Sequence, residues 1–127
     1  MDVQIHGYTV RVRRAGPGRV LLVIGKKVRG GRLIRKLAAS QTGNRVFDDL
    51  VGKGGEMDLV TARAAVLAIT GGLGVVTFAD QEMRVSGVGD KRVVSLATGG
   101  AIELTPDETA AIVAAAEAAI TEAGGAE

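Results

Sequence analysis

The sequence predicts an α+β fold: antiparallel sheet with helices on one face, built as a tandem strand-strand-strand-strand-helix repeat. Three observations predict it. Short runs of alternating apolar and polar residues are separated by Gly-rich turns. Two Ala-rich stretches of helical character each follow a Gly-Gly pair. And the segment GGEMDLVTARAAVLAI (54–69) has a counterpart in GGAIELTPDETAAIVA (99–114), matching Gly54 and Gly55 with Gly99 and Gly100, Met57 with Ile102, Asp58 with Glu103 and Leu59 with Leu104. Upstream, RVFDDLVGKGG (45–55) parallels RVVSLATGG (92–100) with a two-residue gap. The pairing has two readings, a duplication or the coincidence of Gly-Gly before helix starts in a chain with 19 Gly.

From the N-terminus, Val3 and Ile5 mark a first strand. Tyr8, Val10 and Val12 alternate with Thr9, Arg11 and Arg13, the period of a half-buried second strand. AGPG (15–18) is a turn, because Pro17 fixes its own φ and the flanking glycines tolerate positive φ. Val20 to Ile24 is a continuous apolar run short enough for a central strand. Residues 2–28 therefore read as a long hairpin with arginines on its wet face. Residues 29–53 have two readings. Leu33, Ile34 and Leu37, and then Val46, Phe47, Leu50 and Val51, have helical spacing, with Asn44 as a cap and Gly52 as a stop. The same residues fit a strand pair turning at 42–44, and the repeat pairing favours strand over 45–51.

The C-terminal half is clearer. VVTFA (75–79), EMRVSGV (82–88) and RVVSLA (92–97) are strands, with GVGDK (87–91) as a turn, and AIEL is a short fourth strand. Thr105 caps the helix that follows, Pro106 takes its first position, and Asp107 and Glu108 complement the dipole of its first turn. Ile112, Val113, Ala116 and Ile120 form an apolar stripe, read as covering the helix's own sheet; Glu117 and Glu122 lie on the wet face, and Gly124 and Gly125 end the helix. The chain divides into a basic β-rich half ending in a helix (1–70) and an acidic ββββα half (71–127), forming one compact unit.

Composition bounds function. A chain of 127 residues that is 46% apolar and 24% charged is an ordinary globular domain. With no Cys, disulfides and thiolate metal sites are excluded. No apolar run reaches the roughly 20 residues of a membrane helix, and MDVQIHGYTV is not a secretory leader, so a cytoplasmic protein with no membrane partner is expected. Catalysis is not expected. His6 is the single His and, beside a Gly, reads as a surface or strand residue. GKGG (52–55) lacks P-loop spacing, none of the three Ser lies in a nucleophile elbow, and Asp48, Asp49, Glu56 and Asp58 lack the spacing of a calcium loop. No catalytic residue, metal ligand or cofactor is assigned.

Charge is split in two. Residues 1–53 hold 12 Lys and Arg against 3 acids, whereas residues 54–127 hold 4 against 11. Lys26, Lys27, Arg29, Arg32, Arg35 and Lys36 lie within eleven residues with no acid between them, and Arg11, Arg13 and Arg14 lie on the preceding strand. These nine form the candidate site, a surface that can neutralise phosphates. The expected function is low-specificity nucleic-acid binding, single strands favoured, by a homo-oligomer. The competing reading is a bacterial or phage assembly protein, non-enzymatic, whose basic and acidic halves pair head to tail.

Gly100-Ala101-Ile102-Glu103-Leu104-Thr105-Pro106-Asp107-Glu108 resembles the strand-to-helix junction of the transcriptional-coactivator (positive cofactor four), Whirly and PUR-type single-stranded nucleic-acid binders. The resemblance spans about nine residues. It implies four curved antiparallel strands followed by a helix, paired in tandem within one chain, and it implies that the sheet face holds nucleic acid. The chain departs from that pattern in its aromatics, since only Tyr8, Phe47 and Phe78 are present to stack bases.

Overall fold

Side-chain alternation decides which face of each strand is buried, and the turns decide which strands meet. In the computed structural model, described over residues 1–27, 45–47, 49–96 and 101–125, the first sheet contains β1 (Asp2–Ile5), β2 (Tyr8–Gly16), β3 (Arg19–Lys27), β4 (Arg45–Phe47) and β5 (Leu50–Asp58). They are ordered β1-β2-β3-β5-β4, with every pairing antiparallel. Helix α1 (Leu59–Gly71) follows. The second sheet, β6 (Leu73–Phe78), β7 (Gln81–Val88), β8 (Lys91–Leu96) and β9 (Ala101–Leu104), is a four-stranded antiparallel meander that leads into helix α2 (Pro106–Ile120). The α+β class and the tandem order of strands and helix are present.

Strand register defines the repeat. Val12 pairs with Leu22 as Val85 pairs with Val94; Val10 pairs with Ile24 as Met83 pairs with Leu96. Leu22 pairs with Gly55 as Val94 pairs with Ile102, and Val20 with Met57 as Arg92 with Leu104. Strands β1, β2, β3 and β5 thus correspond to β6, β7, β8 and β9. This corrects the equivalence read from the sequence: Leu59 corresponds to Pro106, not to Leu104, and RVVSLA corresponds to β3, not to 45–51. The stretch from 28 to 49, which includes β4, has no counterpart in the second half, so one fixed spacing cannot align both strands and helix. Val46, Phe47, Leu50 and Val51 lie on strands despite their helical spacing, and Gly52 is inside β5.

One apolar core joins the halves. Val10, Val12, Val20 and Leu22 of the first sheet, Met83, Val85 and Val94 of the second, and Ala65, Ile112, Ala115 and Ala119 of the helices belong to the same buried cluster. Each fully buried aliphatic side chain contributes about 1.5–3 kcal/mol of transfer free energy. The stripe of α2 falls on Ile112, Ala115, Ala119 and Ile120, sharing two of its four residues with the sequence reading, with Val113 and Ala116 only partly buried.

The helices also cross over. Helix α2 packs mainly on β2 and β1 of the first sheet rather than on its own, while α1 packs on β6, and the helices touch each other. The apolar stripe of α2 specifies that a sheet is covered but not which one, so the expectation that α2 covers its own sheet is overturned by this exchange. Both helix ends are received by the opposite half. The Gly18 N–H in the β2–β3 turn donates to Ala123 O, 2.9 Å away, just beyond α2. Arg92 of β8 donates from Nε to Ile69 O (3.1 Å) and from Nη2 to Thr70 O (3.0 Å), satisfying the last carbonyls of α1 with a cation. At the helix starts, Asp58 accepts from the Thr61 N–H, and Thr105 and Glu108 form a reciprocal capping box. No helix among the described residues is long and apolar enough to cross a membrane.

Candidate nucleic-acid interface

The β2–β3 ribbon carries the described part of the basic region. Its turn is tight: Gly18 adopts φ +68°, Gly16 pairs with Arg19, and the register shifts between Arg14 and Gly16. Such a bulge strengthens local twist and turns neighbouring side chains out of the ladder. Arg13, Arg14 and Arg19 are all exposed at this end of the ribbon. They border an open groove of about 720 Å³ floored by Leu21 and Phe47 and flanked by Glu56. Arg19 Nε lies 3.5 Å from Glu56 Oε1 with both side chains about half exposed, a loose pair that a phosphate can displace.

Lys26 and Lys27 lie at the other end. Lys26 Nζ sits 5.5 Å from the centroid of the Tyr8 ring, a cation–π contact in which the ring remains accessible. Lys27 Nζ is 3.5 Å from Asp2 Oδ2. Arg14 faces Val20, and Lys26 is six residues further along β3, so the two groups are separated by about 20 Å. The ribbon does not merge them into one patch; it spaces them along a line comparable to about six steps of a B-form strand.

Arg11 belongs to the fold and not to this surface, which corrects its assignment as a phosphate contact. Its Nε and Nη2 donate to the two Asp2 carboxylate oxygens at 2.9 and 3.0 Å, Nη2 also donates to Asp49 Oδ1 at 2.8 Å, and Nη1 donates to Phe47 O at 3.0 Å. The side chain is 8% exposed. Hydrogen bonds from Arg11 hold the carboxyls of Asp2 and Asp49 below the ordinary carboxylate value, and the Arg11 guanidinium is raised in turn. With four of its five N–H donors committed to its own chain and its side chain buried, this cation is not placed to grip a phosphate. Three of the four acids singled out in the sequence have structural partners as well, and Asp48 lies outside the described residues. Asp49 holds Arg11, Glu56 faces Arg19, and Asp58 caps α1, with its carboxyl lowered chiefly by the Thr61 backbone N–H.

Of the nine candidate residues, Arg13, Arg14, Lys26 and Lys27 thus flank the ribbon, Arg11 is internal, and Arg29, Arg32, Arg35 and Lys36 lie outside the described residues. Arg19 is the one absent from the sequence-derived set. The signal was present: a tight turn at AGPG returns the chain so that residue 19 stands beside 13 and 14. The aromatic inventory is also resolved. Phe78 is in the core, Phe47 packs half-buried against Leu21, Val23 and Leu50, and Tyr8 is the accessible ring.

Comparison of the chain with protein-family models, with curated proteins and with solved structures found no match.

Proposed function

We propose that the protein binds nucleic acid with low sequence specificity by gripping phosphates along the β2–β3 ribbon. Arg13, Arg14 and Arg19 act at one end and Lys26 and Lys27 at the other, continued by the Arg29, Arg32, Arg35 and Lys36 run in the sequence. The single observation that carries this reading is the placement of exposed cations at both ends of one ribbon. Electrostatic attraction there does not require base readout, so affinity comes mainly from counterion release. Tyr8 beneath Lys26 offers one ring on which an unpaired base can stack, which favours single strands.

The repeated ββββα order supports the likeness to the coactivator, Whirly and PUR-type binders, which is part of this proposal. The proposed contact differs from the sheet-face contact implied by that likeness. The outer face of the first sheet is filled by Leu21, Val23, Leu50 and Arg11. The outer face of the second carries Glu82 and Glu103 beside Arg84 and Lys91, so a polyanion meets as many carboxylates as cations.

Titration of a fluorescent single-stranded oligonucleotide with the protein, repeated at several salt concentrations, tests the proposal. Engagement of about five phosphates gives a slope of log K against log salt near −3.5, since each contributes about −0.7 on single strands. Exchange of both Arg14 and Arg19 for Glu weakens binding at least tenfold while leaving the fold intact. No binding at low salt, or binding with a slope near zero, contradicts the proposal.

A further inference from the structure

The second sheet has a face that no described residue of the chain covers. Its outward residues include Leu73 and Val75 on edge strand β6, which are 80% and 58% exposed, and Val93 on β8. They line an open groove of about 560 Å³ together with Arg84, Ser86 and Ser95. By register, Arg84 corresponds to Arg11, Val93 to Leu21 and Ser95 to Val23, and all three first-sheet counterparts are buried. The β7 and β8 part of this face lies open at positions the other repeat encloses, and Leu73 and Val75 extend it as an exposed apolar strip along the edge strand, which marks a surface made for contact.

We propose that this face docks against the same face of a second copy of the chain. Charge selects that occupant. Arg84 Nε lies 2.6 Å from Glu82 Oε1, and Lys91 Nζ lies 3.2 Å from Glu103 Oε1. The face is therefore balanced, with two exposed cations and two exposed anions around an aliphatic strip. A two-fold arrangement places each cation within reach of a carboxylate on the other copy and excludes water from Leu73 and Val75. A polyanion gains nothing from such a face. Four strands about 4.8 Å apart and about six residues long present roughly 400 Å² of sheet per copy, about half the standard size of a specific interface, so the dimer is a weak, reversible one. The contact is distinct from head-to-tail pairing of the basic and acidic halves, and it does not depend on nucleic-acid binding. Two copies joined here carry two basic ribbons, which raises avidity for a long strand.

Sedimentation velocity of the full chain, over about 1 to 500 μM and at low and high salt, tests the proposal. The expected result is a monomer–dimer equilibrium that survives high salt, because apolar burial does not screen. Leu73→Glu and Val75→Lys, both at exposed positions, each weaken dimerisation at least about 100-fold with the circular dichroism unchanged. Val60→Glu and Leu67→Glu, on the exposed side of α1, leave it intact. A monomer at every concentration overturns the proposal. So does a dimer that ignores the strand substitutions, one that yields instead to the α1 substitutions, or association that dissolves as salt rises.

Discussion

Arg11 and Arg84 occupy the same position in the two repeats and have opposite fates. Arg11 is enclosed by Asp2, Asp49 and Phe47 O with a side chain 8% exposed, whereas Arg84 stands 70% exposed beside Glu82. The surrounding sheets differ in the same sense. The first is buried on both faces, with Val23 and Leu50 inaccessible on its outer side, and the second is buried on one. The difference lies in what surrounds the shared unit: Asp49, Phe47 and β4 belong to the stretch that the second repeat lacks. A common ββββα unit therefore supplies a structural arginine in one half and an open, exposed face in the other.

The sharpest way to break the symmetry is at Gly54, which corresponds to Ala101 in the second sheet. Gly54 has φ +140°, and a Cβ there runs into Leu22 O of the paired strand. Backbone cannot yield as a flexible side chain does, so Gly54→Ala costs more than about 3 kcal/mol in denaturant unfolding, or abolishes folding, at a position where the other repeat already carries Ala. The next effect separates the two arginines. Arg11→Met leaves the Asp2 carboxylate with Lys27 alone and the Asp49 carboxylate without its hydrogen-bonded cation, and costs about 2–4 kcal/mol, while Arg84→Met stays within about 0.5 kcal/mol. Equal losses in the two variants contradict the contrast.

A smaller effect appears with pH. Asp2 and Asp49 have folded-state values below the ordinary 3.8, so their contribution is present at neutral pH and is lost as pH falls through those depressed values. Unfolding free energy measured by denaturant at pH 7 and near pH 3 decreases on acidification. In Asp2→Asn, which has one fewer carboxyl to protonate, the decrease is smaller; an unchanged difference removes the Asp2–Arg11 pair from the account.

Much of this was legible locally. The strands at 75–79, 82–88 and 92–97 fall within a residue or two of β6, β7 and β8, and Thr105-Pro106-Asp107-Glu108 caps α2 as its chemistry dictates. The hairpin at 8–27 was equally readable from alternation and its Pro-Gly turn. Non-local choices were not. Nothing near Arg11 in sequence reveals that Asp49, across two other strands, will take its guanidinium. The alanine-rich stripe of α2 fits either sheet, and Val46, Phe47, Leu50 and Val51 satisfy helical spacing although their backbone pairs as strand. The repeat itself was visible at the strand-to-helix junctions, but the extra stretch in the first half hid its true alignment.

The most direct measurement is a two-dimensional NMR titration of the labelled protein with a short single-stranded oligonucleotide at low salt. The account predicts that amide shifts concentrate at residues 13–19 and at Tyr8, Lys26 and Lys27. Val75, Arg84 and Val93 on the open face of the second sheet stay in place at a protein concentration below the dimer range. Shifts centred on that open face, with the ribbon unmoved, contradict it.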